Sequence, residues 1–341
     1  MAALCGSCAF DLASLSQLRR TGANWLKWNA GQDPEISFSK KMIKPMLDSS
    51  TRFVFVDADV RGNIVRLGDS FKQMTAPHDY PREVQELLGE FLAAALLLSD
   101  TIKFEGRLTL QANGQGNIRL LMAEATHEGA VRGIAQLEEA APANAFKDKN
   151  LLQLLSDGKL SGGTLTVTVE ARGRERYQSI VPLLGETLAE CLESYFQQSE
   201  QLNTFIRLSA DSTQASGVLI QQLPVQMEQD LAQRADRWQT IRVLAGTITG
   251  AELMAEANSV LLQHLFVDEN IQMFGETSVR FQCTCSEQRM AGALVSLGEL
   301  ELASLFEERQ TLALTCEFCG AHYNIDNKKL TQLVTEGVKP H

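Results

Sequence analysis

Cys283-Thr284-Cys285 and, after a spacer, Cys316-Glu317-Phe318-Cys319-Gly320 decide how the C-terminal part of this 341-residue chain folds. Each pair offers two thiolates from one short loop, so chelation costs little chain entropy. Two pairs complete the four soft ligands of a closed tetrahedral zinc site. Gly320, directly after the second pair, suits the tight turn of a zinc knuckle. Four thiolates leave neither an open position nor a carboxylate, which argues against catalytic zinc. Around them, Ser286 is placed to cap a helix carrying Ala291, Leu294 and Val295 and ended by Gly298. Leu300, Leu302, Leu305 and Phe306 supply a second apolar stripe. Such a fragment builds little core of its own, whereas structural zinc contributes roughly 10–16 kcal/mol of apparent binding free energy in small peptides. Residues 283–341 are therefore expected to form a small domain whose folding depends on one zinc ion per chain, held by Cys283, Cys285, Cys316 and Cys319.

The same sulfurs pose a question of staple against switch. Zinc ribbons are mostly constitutive staples. Cys-x-Cys is less usual than Cys-x-x-Cys in plain ribbons, however, and both pairs are close enough in sequence to form local disulfides. Zinc holds sulfur as thiolate, the reactive form, and oxidation of either pair removes two ligands and releases the metal. The residues alone leave both readings open.

Upstream, residues 225–282 read as a helical linker with no convincing strand. Leu231, Trp238 and Ile241 mark one amphipathic stretch. Thr249-x-x-Glu252 is a capping box that opens another, with Leu253, Ala257, Val260, Leu261 and Leu265 inward. Residues 48–224 read as a core domain. Phe53, Phe55 and Asp57 alternate with Val54 and Val56, Gly62-Asn63 is a turn signal, and Ile64 to Leu67 is the returning strand. A helix with Pro81 in its first turn carries Val84, Leu87, Leu88, Phe91 and Leu92. Residues 107–112 and 117–123 flank a hairpin turn, Thr164 to Val169 pairs with Tyr177 to Val181, a helix covers 186–201, and Phe205 to Leu208 and Val218 to Gln222 are the last strands. Strand runs broken by separate helices imply an α+β class with antiparallel sheets. Residues 1–47 are polar and irregular and read as a flexible N-terminal extension, with a weak targeting segment or a start at Met42 or Met46 as alternatives.

The formal net charge of −11 repels phosphate backbones, so nucleic acid is not an expected partner. The longest apolar run, Phe91 to Leu98, is far short of the roughly 18 residues of a membrane span, so no membrane association is expected. With no secretory signal pattern, the compartment reads as cytoplasmic. Cysteine then means metal or redox chemistry more often than a permanent disulfide framework. Cys5-x-x-Cys8 has ligand spacing but no second pair beside it. Cys191, next to Leu192, reads as a small buried hydrophobe. His322 follows a site already filled by four cysteines, and His264 reads as an ordinary packed or surface side chain. Gly114-x-Gly116 lies in a hairpin and is no phosphate loop. Arg172-Gly173-Arg174 reads as a solvated turn. No hydrolase elbow or zincin helix is present in the sequence, so no enzyme is expected. A zinc-ribbon nucleic-acid binder would carry basic residues where Glu299, Glu301, Glu307, Glu308 and Glu317 stand. A thiol-disulfide oxidoreductase would place Cys316-x-x-Cys319 at a helix N-terminus.

The chain resembles the redox-regulated thirty-three-kilodalton heat-shock holdases of bacteria. The likeness lies in Arg52 to Asp57 with Val60-Arg61-Gly62, in Lys103 to Gln111, in Gly185 to Leu192, in Tyr195 to Gln201 and in the cysteine spacing, from about residue 48 to about 332. The resemblance implies a zinc-bound, inactive reduced form. It further implies oxidation to disulfides Cys283–Cys285 and Cys316–Cys319 with zinc loss, and unfolding of the redox-switch domain and linker. Capture of unfolding client proteins without ATP, homodimer formation when oxidised, and handover to ATP-dependent foldase chaperones are implied likewise. The alternative is a constitutive structural-zinc module for protein or RNA interaction.

Overall fold

The computed structural model describes residues 48–102, 105–139, 141–156 and 163–335. The N-terminal extension, with Cys5 and Cys8, lies outside them. Two six-stranded sheets and one two-stranded ribbon form the β structure. The first sheet contains β1 (Ser49–Phe55) and β2 (Val60–Leu67). Helices α1 (Asp69–Thr75) and α2 (Arg82–Thr101) follow. The second sheet is built from β3 (Gly106–Asn113), β4 (Ile118–Thr126), β5 (Ala130–Leu137), β6 (Thr164–Ala171) and β7 (Tyr177–Val181), with α3 (Leu151–Leu155) between β5 and β6. After α4 (Leu188–Tyr195), the hairpin β8 (Thr204–Ala210) and β9 (Ala215–Gln222) completes the centre of the first sheet. The class is α+β with antiparallel sheets, as the alternation of strands and separate helices implied.

Helix α2 explains the apolar run at residues 91–98. It packs on β4 of one sheet and on β8 and β9 of the other. Val84, Leu88 and Phe91 to Leu98 are all buried. A helix gripped on two sides is apolar all round rather than amphipathic. No helix among the described residues is long and apolar enough to cross a membrane.

The chain reverses between β1 and β2 at residues 56–59, not at Gly62-Asn63, which lie inside β2. The reason is steric. Gly62 is registered opposite Phe53, and a Cβ at Gly62 would stand 2.1 Å from the Phe53 ring. Asn63 accepts a bond from Ser50 Oγ and donates 2.8 Å to the Asp100 carboxylate. Turn-forming residues here serve packing and a buried polar network.

Beyond Pro224 come α5 (Leu231–Gly246), α6 (Gly250–Ala255) and α7 (Asn258–Leu265). Thr249 and Glu252 form the expected capping box. Trp238, Ile241, Leu253, Leu261 and Leu262 bury on Phe53, Phe55, Ile64, Val218 and Ile220 of the first sheet. Leu231 and Val260 point outward instead, because Leu231 opens α5 beside its Asp230 cap and Leu261 and Leu262 take the inner face of α7. Buried Asp59 pins the entry to this stretch, accepting from the Gln226 and Met227 amides and pairing with Arg234 at 2.8 Å. The expectation of a strand-free segment fails at its end. β10 (Ile271–Met273) and β11 (Thr277–Ser278) add to β1, and β12 (Arg280–Phe281) adds in parallel to β5. These strands are two or three residues long, below the length at which alternation can be read. β5, rich in Ala and Gly, has no counterpart in the sequence reading.

Two stability predictions follow from these contacts. Gly62→Ala should cost about 1–3 kcal/mol by overpacking against Phe53, read as a lowered urea midpoint, with partial recovery in the double variant Gly62→Ala/Phe53→Leu. Burial pushes the Glu90 carboxyl from 4.5 up to about 7, with the Glu86 charge adding to it. The native state thus holds a proton that the unfolded chain releases, so this group's contribution to stability falls as pH rises from about 4.5 to about 7. Unfolding curves of Glu90→Gln should lose that part of the pH dependence.

Candidate metal centre

Two separate parts of the chain bring the four cysteines together. Cys283 and Cys285 lie in the loop after β12, which ends where Ser286 caps α8 (Glu287–Val295) by accepting from the Arg289 amide. Cys316 directly follows β13 (Thr311–Thr315), and Cys319 closes the turn before β14 (His322–Asp326). Gly320 adopts φ +69 and its amide reaches the Cys316 carbonyl at 2.8 Å, the left-handed knuckle turn that its identity implied. The four sulfurs all lie within 4.8 Å of one another. Cys283 and Cys316 approach to 3.7 Å, and Cys285 and Cys319 to 3.4 Å. A tetrahedral site with zinc–sulfur bonds of about 2.3 Å has edges of about 3.8 Å, so the cluster could hold a metal ion. No disulfide joins any of the four.

The electrostatics of the cluster are uneven. Burial works to raise the Cys285 thiol. The hydrogen bond donated by the Tyr323 hydroxyl at 3.0 Å and the neighbouring thiols outweigh it and bring Cys285 down to about 7. Burial pushes Cys283 and Cys319 upward. Tyr323 is raised to about 12 by its bond to Cys285. It stands on β14, outside any ligand motif, and no spacing rule singles it out.

A second feature that the sequence does not mark is Arg132 on β5. Its guanidinium donates to Glu124 at 2.5 Å and to Thr284, between the first two cysteines, at 3.0 Å. It also lies over the Phe318 ring, between the second two, at 4.2 Å. One core side chain thus touches both halves of the cluster. Gln136 donates to Glu317 at 2.8 Å, and Gly320 packs on Pro77.

The surrounding core is small. Ala291, Leu294, Leu312, Ile325, Leu330 and Leu333 are buried together, with Leu302, Leu305 and Phe306 packed alongside. Leu330 and Leu333 come from α10 (Asn327–Thr335), and α9 (Glu299–Glu308) supplies the stripe. Leu300, expected in that stripe, is 92% exposed, because the turn of α9 that carries it faces away from α8 and β13. His322 is exposed and bonded to Thr315, apart from the sulfurs. Cys191 is buried in the main core, and His264 is exposed beside Glu256.

The profile of the family described as "Hsp33 protein" matches residues 48–326. The "33 kDa chaperonin" of Azotobacter vinelandii is 42% identical over 85% of this chain and 95% of its own length. That of Nitrosococcus oceani is 39% identical over 86% and 96%. A solved structure of the 33 kDa chaperonin from Thermotoga maritima shares the fold with a TM-score of 0.68 at 22% identity, covering 85% of this chain and 99% of that one.

Arg132→Ala should remove a cation that touches both cysteine loops and leave buried Glu124, among the described residues, with the more distant Arg107. The expected loss is about 2–3 kcal/mol, measured by thermal unfolding. Hydrogen exchange should quicken at residues 283–286 and 316–320 in particular.

Proposed function

Because the chain belongs to the Hsp33 family and so has a chaperone role rather than an enzymatic one, we propose that it is an ATP-independent holdase controlled by thiol oxidation. In this reading Cys283, Cys285, Cys316 and Cys319 hold one zinc ion in the reduced state, and the bound metal keeps the sulfurs as thiolates. The observation that carries the reading is the gathering of four thiols at tetrahedral spacing inside a piece with so small a core.

The chain's own residues give the switch its character. The Tyr323 hydroxyl donates to the Cys285 sulfur at 3.0 Å and stabilises negative charge on it. Each cysteine pair gives up two electrons to form a disulfide while peroxide is reduced to water. The pairing proposed from the family likeness is Cys283–Cys285 and Cys316–Cys319. Either bond removes two ligands, and the small core does not stand without them. Residues 225–282 are the linker in this reading. Its helices cover Phe53, Phe55, Ile64, Val218 and Ile220, so loosening them exposes apolar surface on both partners. That surface binds unfolding clients. The oxidised chain forms a homodimer and passes clients to ATP-dependent foldases, and the setting is the cytoplasm.

The test is zinc content together with suppression of thermal aggregation of a model client, before and after peroxide at elevated temperature. Zinc release with a gain in suppression is expected. Peptide mapping should find the within-pair disulfides rather than Cys283–Cys316 and Cys285–Cys319, whose sulfurs lie nearest across the pairs. Zinc retained with no gain in activity would leave a constitutive structural-zinc interaction module.

A further inference from the structure

Residues 277–282 cross from one sheet to the other immediately before the first cysteine. Ser278 and Thr277 pair with Ser49 and Ser50 of β1, and Arg280 and Phe281 then pair in parallel with Ala130 and Val131 of β5. The Arg280 amide reaches the Gly129 carbonyl at 2.9 Å and the Gln282 amide reaches the Val131 carbonyl at 3.1 Å. Helix α1 contacts both this segment and β5. Val279 is buried in the main core and Phe281 packs against it, while Arg280 between them turns outward to Glu128. Gly129, at φ +75, lets the backbones approach, since a Cβ there would stand 2.5 Å from the Ser278 carbonyl oxygen.

We propose that the groove at the β5 edge beside α1, filled here by residues 279–282, is a strand-acceptor site for an extended segment of an unfolding protein. It rests on the preceding reading that oxidation frees the cysteine segment. The groove asks for little: main-chain hydrogen bonds that any extended sequence makes, and apolar side chains at positions i and i+2, which lie on one face of a strand. Glu128 adds a preference for a cationic residue at i+1. Folded proteins keep such alternating segments paired, whereas unfolding ones expose them, so the groove selects for the unfolded state rather than for a sequence. The resident segment is short, and its occupancy depends on its high effective concentration while both ends are held, one at β11 and the other at the cysteines. Freeing the cysteine end lowers that concentration and opens the β5 edge to competitors.

The experiment follows amide hydrogen exchange of residues 129–133 in the full chain. Its states are reduced, peroxide-oxidised, and oxidised with reduced carboxymethylated α-lactalbumin, a permanently unfolded protein. We expect at least about tenfold faster exchange on oxidation and renewed protection with the unfolded protein. A peptide of residues 276–282 should compete for the site, and its counterpart with serine at positions 279 and 281 should need at least about tenfold more. A second arm needs no oxidation. The reduced, zinc-loaded variant Val279→Ser/Phe281→Ser should bind the labelled 276–282 peptide at least about tenfold more tightly than the reduced wild type.

Exchange at residues 129–133 that stays slow on oxidation, or stays fast with the unfolded protein bound, would overturn the proposal. So would protection that returns with rising chain concentration alone, which would put a second copy in the groove. If oxidised chain suppresses aggregation while neither arm shows occupancy, the groove falls and the switch stands. If oxidation yields no activity while the variant binds the peptide, the switch falls and the groove stands.

Discussion

The constraint on which the described C-terminal residues turn is the gathering of four sulfur atoms within 4.8 Å of one another, a spacing that could hold a metal ion. Six buried side chains, one of them an alanine, form the centre of residues 286–335. A piece of some fifty residues with a core of that size falls in the range where a metal or disulfide is usually needed to stabilise the fold. The strand pairing of β13 with β14 and the Lys329–Glu287 ion pair help, but they are local. Closing Cys283-x-Cys285 against Cys316-x-x-Cys319, aided by Arg132 and by the Tyr323–Cys285 bond, ties the β12 exit to the β13–β14 knuckle.

That constraint reaches further than its own neighbourhood. Arg132 reads both cysteine loops from the core sheet. Residues 277–282 then carry the connection to the edges of both sheets. The helices α5 to α7 lie between two anchors, Asp59 with Arg234 at one end and the added strands at the other. A change at the sulfurs therefore has a continuous covalent and hydrogen-bonded route to the apolar face those helices cover. The proposed switch needs no remote signalling, only the loss of one end of a strap.

Much of this was legible in the chain. The four-cysteine cluster follows from spacing, the knuckle turn from Gly320, the cap from Ser286, and the paired strands β3–β4 and β6–β7 and the strands β8 and β9 from alternation. What escaped did so for physical reasons. Gly62-Asn63 has the composition of a turn, but its glycine makes room for the Phe53 ring. β10 to β12 exist because sheet edges accept them, not because their own residues demand a strand. Arg132 and Tyr323 act on the cysteines from other strands, and no local pattern announces a contact that only the assembled sheet creates.

The central claim is that residues 283–335 hold their structure through the metal and little else. The most direct measurement is amide hydrogen exchange of the reduced, zinc-loaded chain before and after removal of zinc by a chelator under reducing conditions. The account predicts that protection is lost throughout 283–335 and at residues 277–282, while β2, β3, β4 and β9 stay protected. Retained protection across 283–335 in the zinc-free chain would contradict it, and would show that the small core suffices without the four-sulfur constraint.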